Sequence, residues 1–546
     1  MAYYDLGSYS RKVTTSSDEA QLWFDRGLIW TYAYNHEEAI VCFEKAVAAD
    51  PDCAMAHWGI AYAIGPNYNK PWETFEEEEK PDCLELAGTA ISKANALKSR
   101  TSPFERDLIE AIAKRYPEDP AIEEFAPWND AFADAMRGVY EAHKGDLDVS
   151  CLFAEAIMNR TPWQLWDLPS GKPAEGADTL EAIAVLETAF DTIAGAWDHP
   201  GLLHMYIHLM EMSPHPERAL RQGDALSTLV PDAGHLLHMA THVDVLCGDY
   251  QNVVSRNHTA IVADRKFLEA EGADNFYSVY RCHNYHFKIY GAMFLGQPTV
   301  ALTTADELIE TIPEDFLSAM ADWFEGFIPM KQHVMIRFGL WSDILAQELP
   351  GDQELYSVTT AMMHYARTVA LANTGKLAEA EAERELFYAS CERVQETRML
   401  FNNTCRDILK VAEHMLLGEL EYHKGNHTKA FEHLRASVEL DDNLPYDEPW
   451  GWMQPTRHAL GALLIEQGQY EEAEAVYRAD LGLDATLSRA CQHPGNVWSL
   501  HGLHECLSQR GEEAEALQVK LQLDKALARA EVEIKASCYC RQKLVA

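Results

Sequence analysis

The chain has 546 residues, beyond the roughly 250–300 residues that one compact core usually holds. It therefore needs several domains or a quasi-linear repeat array. Its 47% hydrophobic, 24% charged and 10% aromatic residues are those of a folded protein and argue against bulk disorder. A net charge of −41 argues against nucleic acid and anionic membrane surfaces as main partners, since binding phosphate needs a basic surface.

The opening residues lack the apolar core of a signal peptide, and no run of 18 apolar residues occurs. The expectation is a cytoplasmic protein with no membrane span. Twelve cysteines without framework spacing read as reduced thiols. The tail pair Cys538 and Cys540 offers soft-metal donors but is expected to be inert.

In chain order, the first clear unit lies in 19–70. Trp23, Gly27, Ala39, Phe43, Ala46 and Pro51 fall at the signature positions of a tetratricopeptide repeat. Small residues at Gly27 and Ala39 let two helices approach, and Pro51 stops the second. Residues 72–82 are acidic and read as a solvated loop or helix start. Residues 161–178 form a Pro/Gly-rich loop carrying Trp163 and Trp166. Residues 199–296 are His-rich, with turns at Gly248 and Gly296. A further turn falls at Gly375. Residues 441–457 form a second aromatic loop with Tyr446, Trp450 and Trp452. Such loops either cover a groove or plug an apolar gap. In 414–530 the repeat spacing returns as Gly418–Ala430–Leu434, Gly461–Ala473–Tyr477 and Trp498–Gly502–Ala514. An amphipathic helix is expected over about 512–535. Strand-like alternation is scarce. The chain reads as all-α, a single continuous tetratricopeptide-like solenoid of helical hairpins over 1–546.

The central segment carries the chemistry. His204 and His208 form one His-x-x-x-His pair, and His238 and His242 form another. Both members are offset by 34 residues, the repeat period. Histidines at i and i+4 share a helix face. The register puts the two pairs at equivalent points of adjacent repeats, where four imidazoles converge. His235 falls on the stripe of His238 and His242. A third helix, starting near Arg281, adds His283 and His286. Glu211 shares the face of His208, and Asp244 points elsewhere. His199, His215 and His258 read as ordinary loop or surface residues.

Imidazole suits zinc, copper, iron and nickel, whereas magnesium and calcium prefer oxygen. The expected ligands are His204, His208, His238, His242, His283 and His286, enough for one or two ions. The abundance of histidine and shortage of carboxylates lean towards copper or zinc, and a His/His/Glu set using Glu211 would instead resemble a non-haem iron triad; copper is favoured, then iron or zinc. Met205, Met210, Met212 and Met239 lie nearby and read as packing residues. A polar groove without metal is the competing reading. No phosphate-cradling loop, dinucleotide fingerprint or nucleophile elbow is present.

These motifs carry a resemblance. Residues 24–69, 154–166 (AEAIMNRTPWQLW), 204–220, 231–242 and 283–287 (HNYHF) resemble a family of long, uncharacterised tetratricopeptide-repeat proteins of bacteria and fungi with a His-rich centre. The resemblance implies a repeat fold with a His-lined interior. It places Glu155, Pro162, Trp163, Trp166 and the eight central site residues, Glu211 and His235 included, on motif positions. It names no reaction. Ala240 and Cys247 depart from the family pattern, which often has Pro and Arg there.

Three functions compete. The first is a copper or iron oxidase or oxygenase acting on a small organic molecule. Glu211 or His235 would serve as acid/base or supporting groups, and Glu155, Trp163 and Trp166 would line the substrate pocket. The second is a zinc hydrolase with Glu211 as general base. The third is a scaffold that binds a peptide or protein partner. A homo-oligomer is compatible with all three.

Overall fold

The computed structural model describes residues 3–117 and 124–541. The fold is all-α and built from tetratricopeptide-type helical hairpins. Among the described residues the extended pairing in named strands is two short antiparallel ladders, Trp166–Asp167 with Lys172–Pro173 and Met399–Leu400 with Asn403–Thr404. No described helix is long and apolar enough to cross a membrane.

The chain divides into two compact units. The first comprises Met1–Val243, Val262–Ala270 and Asn275–Tyr277. Its opening hairpin follows directly from sequence. Ser17 and Asn35 cap Asp18–Tyr32 and His36–Ala49 by accepting backbone amides. Phe43, fully buried, wedges between the helices. A Cβ at Gly27 would lie 2.7 Å from its ring, and one at Gly59, on the next helix, 2.6 Å. Both positions therefore require glycine. The acidic segment 72–82 is solvated only in part: Glu76, Glu77 and Glu78 are exposed ahead of the helix Glu79–Leu97, whereas Trp72 and Phe75 at its start are buried.

Deeper in this unit, the helix Pro200–Glu211 packs against Asp18–Tyr32, Leu147–Met158 and Thr179–Thr192. All twelve of its residues are buried. A helix that is inaccessible all round belongs to the interior, so any chemistry its histidines do is internal.

The second unit comprises Asp244–Ile261, Glu271–Asp274 and Ser278–Ala546. Its hairpins pair Ser357–Asn373 with Leu377–Cys391, Cys405–His423 with His427–Asp442, Thr456–Glu466 with Tyr470–Asp480, and Val497–Arg510 with Glu513–Leu527. The sequence-read repeat positions do the packing. A Cβ at Gly418 would lie 2.6 Å from Leu434, and Cβ atoms at Gly461 or Gly502 would overlap the Tyr477 ring. Ala430 and Ala473 are fully buried.

Three expectations need correction. Ala514 is exposed, and Ala516 takes the inward place on the terminal helix. That helix ends at Leu527, not near 535, and an irregular strap follows. Cys538 and Cys540 are bonded to each other, not reduced.

Candidate metal centre

Five imidazoles of the first unit meet in one place. His204 and His208 lie on Pro200–Glu211. His235 and His238 lie on the short helix Gly234–His238, and His242 on Ala240–Leu246. A single helix was expected for the last three, and the backbone stays right-handed helical through Met239, where the turn tightens as the His242 amide bonds back to the Met239 carbonyl at 3.2 Å. All five residues are at most 1% exposed.

Their hydrogen bonds fix which nitrogen faces inward. His204 Nδ1 is 2.7 Å from the Tyr32 carbonyl, which only accepts, so Nδ1 carries the proton. His208 Nδ1 and His242 Nδ1 lie 3.0 and 2.7 Å from the two oxygens of Glu211. His238 Nδ1 is 3.2 Å from Thr241 Oγ1, whose own proton goes to the His238 carbonyl at 2.7 Å. In the neutral state these four rings keep their Nε2 lone pairs for the interior.

The Nε2 atoms converge. Those of His238 and His242 are 2.8 Å apart, and those of His204 and His235 are 3.1 Å apart. His208 Nε2 is buried with no hydrogen-bond partner among the described residues. One donor atom from each of His204, His208 and His235 lies within 4.8 Å of the others. Two inward lone pairs at 2.8 Å repel unless a proton or a cation lies between them. Burial, then a neighbouring imidazole, pushes His204 and His208 well below the usual histidine range. That favours the neutral, ligating form. Holding Nδ1 by a carboxylate or carbonyl while Nε2 stays open is how proteins orient metal-binding histidines.

A second layer stands behind these bonds. The Tyr32 and Tyr9 hydroxyls donate to Asp148 at 2.6 and 2.7 Å, and Arg11 lies 2.9 Å from its other oxygen. Burial opposes ionisation of Asp148, but His199 and then Arg11 hold it below the usual carboxylate range. His199 is therefore not an ordinary loop residue. It is fully buried, 3.2 Å from Asp148, and its Nδ1 accepts from the Leu202 amide as helix cap. His215 sits at the exposed surface as read.

Aromatic rings wall the chamber. The Tyr34 ring lies 4.6, 5.9 and 5.6 Å from His204, His208 and His235. Tyr68 lies 5.1 Å from His208, and Trp163 meets His208 edge-on at 5.8 Å. Trp166 serves differently: its indole N–H donates to the Leu209 carbonyl at 2.7 Å and pins the loop to the histidine helix. Glu155 is buried and accepts from the Tyr62 hydroxyl at 2.6 Å. Burial raises its carboxyl, partly offset by Arg115, Tyr62 and Tyr34.

His283 and His286 lie on Ser278–Leu295 in the second unit. His286 Nε2 is 2.8 Å from Met453 Sδ, and its Nδ1 is buried without a hydrogen-bond partner among the described residues. Phe401 packs on both rings, at 4.8 Å from His283 and 6.3 Å from His286. In the second aromatic loop, Trp452 is buried against His333 at 4.8 Å. Asp244 points to Arg256 at 3.2 Å.

Sequence reasoning missed Tyr34, Tyr68, Thr241 and Met453. A signal existed for Tyr34. In seven later helix-to-helix turns a glycine with positive φ precedes an amide that bonds back five residues: Gly248, Gly296, Gly339, Gly375, Gly425, Gly468 and Gly511. The first hairpin makes the same bond, Asn35 to Trp30, with Tyr34 at φ 56° in the glycine position.

The Tetratricopeptide repeat family model matches residues 20–53 and 455–486. No curated protein matches the chain. Among solved structures, the APC/C hetero-tetramer Cut9–Hcn1 is similar at 12% identity, over 94% of this chain and 78% of that one, with a TM-score of 0.30. A monomeric mutant of IFIT1 with m7Gppp-AAAA is similar at 11% identity, over 93% and 96%, with a TM-score of 0.33. Naa15/Naa10 bound to HypK-THB is similar at 14% identity, over 93% and 70%, with a TM-score of 0.24. The chain thus carries recognisable tetratricopeptide repeats near both ends, and an all-helical interior with five converging histidines lies in its first unit.

Proposed function

We propose that the five-histidine chamber binds a transition metal, copper first and iron second, and supports oxidation of a small organic molecule. One observation carries the reading: His238 and His242 have both Nδ1 atoms engaged outward while their Nε2 atoms sit 2.8 Å apart. His204, His208 and His235 would hold one ion. His238 and His242 would contribute to a second. In the second unit His283 and His286 are the corresponding candidates, with Met453 as a thioether donor suited to Cu(I). The resemblance to the long His-rich repeat family agrees with such an interior.

Copper or iron, when bound, supplies one-electron and O₂ chemistry. The protein's own residues do the rest. Glu211 keeps two rings in the tautomer that ligates, and Tyr32 does so for a third. Tyr34, Tyr68 and Trp163 keep water from the rings. Glu155, reached through the Tyr62 and Tyr34 hydroxyls, is the acid closest in kind to a substrate-side proton carrier.

The rival readings fit less well. Glu211 is a poor general base for zinc hydrolysis, because each oxygen already accepts from an imidazole. A peptide-binding scaffold needs a reachable groove, and histidines at most 1% exposed are out of an extended peptide's reach.

The test is elemental analysis of untagged protein, followed by an O₂-consumption screen. Near-stoichiometric copper or iron supports the proposal. Zinc alone shifts it to hydrolysis or structure, and no uptake of any candidate metal on reconstitution refutes it.

A further inference from the structure

The strap after Leu527 returns to the second unit and is held there by polar contacts. Arg337 donates to the Ser537 carbonyl at 2.6 Å, Ser537 Oγ donates to the His458 carbonyl at 2.7 Å, and Arg541 pairs with both oxygens of Glu505 at 2.8 Å. Within this strap Cys538 and Cys540 form a disulfide. The other ten cysteines are free thiols.

The bond does little for the fold. In the chain-entropy account stabilisation grows with the loop closed, reaching about 3 kcal/mol for 15 residues. Here the partners are two residues apart, and the strap is anchored without them. Meanwhile the chemistry around the pair is specific. Cys540 is fully buried and Cys538 is partly exposed. A carboxylate oxygen of Glu419, itself 2% exposed, lies within 4.8 Å of both sulfurs. The Cys540 amide donates to Cys538 Sγ at 3.1 Å.

We propose that Cys538 and Cys540 are a reversible thiol–disulfide exchange site, with Glu419 as its proton donor and a small-molecule dithiol as its co-reactant. The dithiol's thiolate attacks the accessible Cys538 Sγ. A mixed disulfide forms, the Cys538–Cys540 bond breaks, and Cys540 Sγ leaves with the electron pair and takes a proton from Glu419. The dithiol's second sulfur, as thiolate, attacks its own bonded sulfur and closes a cyclic disulfide. Cys538 leaves as a thiolate stabilised by the Cys540 amide, then takes a proton from water. The protein gains two electrons and the dithiol loses two. Burial raises the Glu419 carboxyl to about 7, so it holds a proton near neutral pH. The site stands apart from the metal reading and survives its failure.

The experiment is mass spectrometry of the tryptic peptide 536–541 from full-length protein, alkylated after graded exposure of the native chain to diamide and then dithiothreitol. Diamide should leave the peptide two hydrogens lighter and unlabelled, and dithiothreitol should restore two labels while the protein stays folded. Glu419→Gln should slow the native reduction about tenfold without changing its end point, and Glu419→Asp should recover part of the rate. Two free thiols after diamide, or a bond that native protein does not surrender to dithiothreitol, overturns the site. A wild-type reduction rate in folded Glu419→Gln overturns the proton-donor assignment.

Discussion

Glu211→Gln is the sharpest probe of the histidine chamber. In the wild type one carboxylate accepts from two Nδ1–H groups, at 3.0 Å from His208 and 2.7 Å from His242. Glutamine keeps one acceptor oxygen and places an NH₂ against the other ring. Two donors then face each other, so that ring must either swing away or move its proton to Nε2. Either change removes one inward lone pair. Loss of an outer hydrogen bond to a metal-bound histidine typically weakens binding 10- to 100-fold, about 1.4–2.7 kcal/mol. The upper end is expected because the outward contact of one ring is reversed, not merely weakened. The assay is competition for Cu(II) and Zn(II) against a chromophoric chelator, with circular dichroism to confirm that helicity is retained. Metal affinity within twofold of wild type would mean that Glu211 is a plain buried carboxylate and that the imidazoles are not ligands.

Two further outcomes are expected. His238→Ala with His242→Ala should remove at least half of the bound metal while leaving helicity nearly unchanged, as read by elemental analysis and circular dichroism; full metal retention sinks the site. Asp441 offers a pH test away from the chamber. Burial raises its carboxyl to about 7, while the Thr456 amide and hydroxyl donate to it at 3.2 and 3.1 Å. The folded state thus holds the proton more tightly than the unfolded chain. The stability that this provides is complete below about pH 4 and is lost as pH rises through about 7. Asp441→Asn should therefore gain on the wild type across that window, by at most about 4 kcal/mol, in urea melts at pH 4, 6 and 8; a pH-independent difference refutes it.

Much of this was legible because repetition copies packing. Gly27, Phe43, Gly461 and Tyr477 could be read from spacing, since a glycine facing a ring one helix away is a steric requirement. The 34-residue offset of the histidine pairs was legible for the same reason. The tightened turn at Met239 was not, because nothing in HLLHMATH forbids regular helical bonding throughout. The chamber's outer bonds were invisible too. Tyr32 contributes a backbone carbonyl and Thr241 a hydroxyl already used on its own turn, and neither leaves a mark in residue type. The Cys538–Cys540 bond was misread because short spacing without a framework looks like two unrelated thiols.

Backbone strain links the histidines of both units to their walls. Among the described residues, the non-glycine positions with positive φ are Tyr34, Trp163 and Phe401, at 56°, 59° and 49°. Each occupies a place made for glycine. Tyr34 sits in a helix-to-helix turn. Trp163 follows Pro162 in a turn closed by Gln164 and Thr161, and Phe401 opens the two-residue loop of a hairpin. Each also carries its ring onto a histidine. Strained residues of this kind persist where the surroundings over-determine them, and they gather at functional sites. Tyr34 tests the point. Removing its ring should cost about 3–5 kcal/mol in either an alanine or a glycine variant. The left-handed conformation costs alanine a further 1–2 kcal/mol, roughly, and glycine none. Glycine loses part of that advantage to its larger unfolded-state entropy, about 0.5–1 kcal/mol. Tyr34→Gly should therefore be more stable than Tyr34→Ala by about 0.5–1 kcal/mol, both less stable than wild type. An alanine variant as stable as the glycine variant would show that the turn relaxes freely. The aromatic would then be there for packing alone, with no strain held against the chamber.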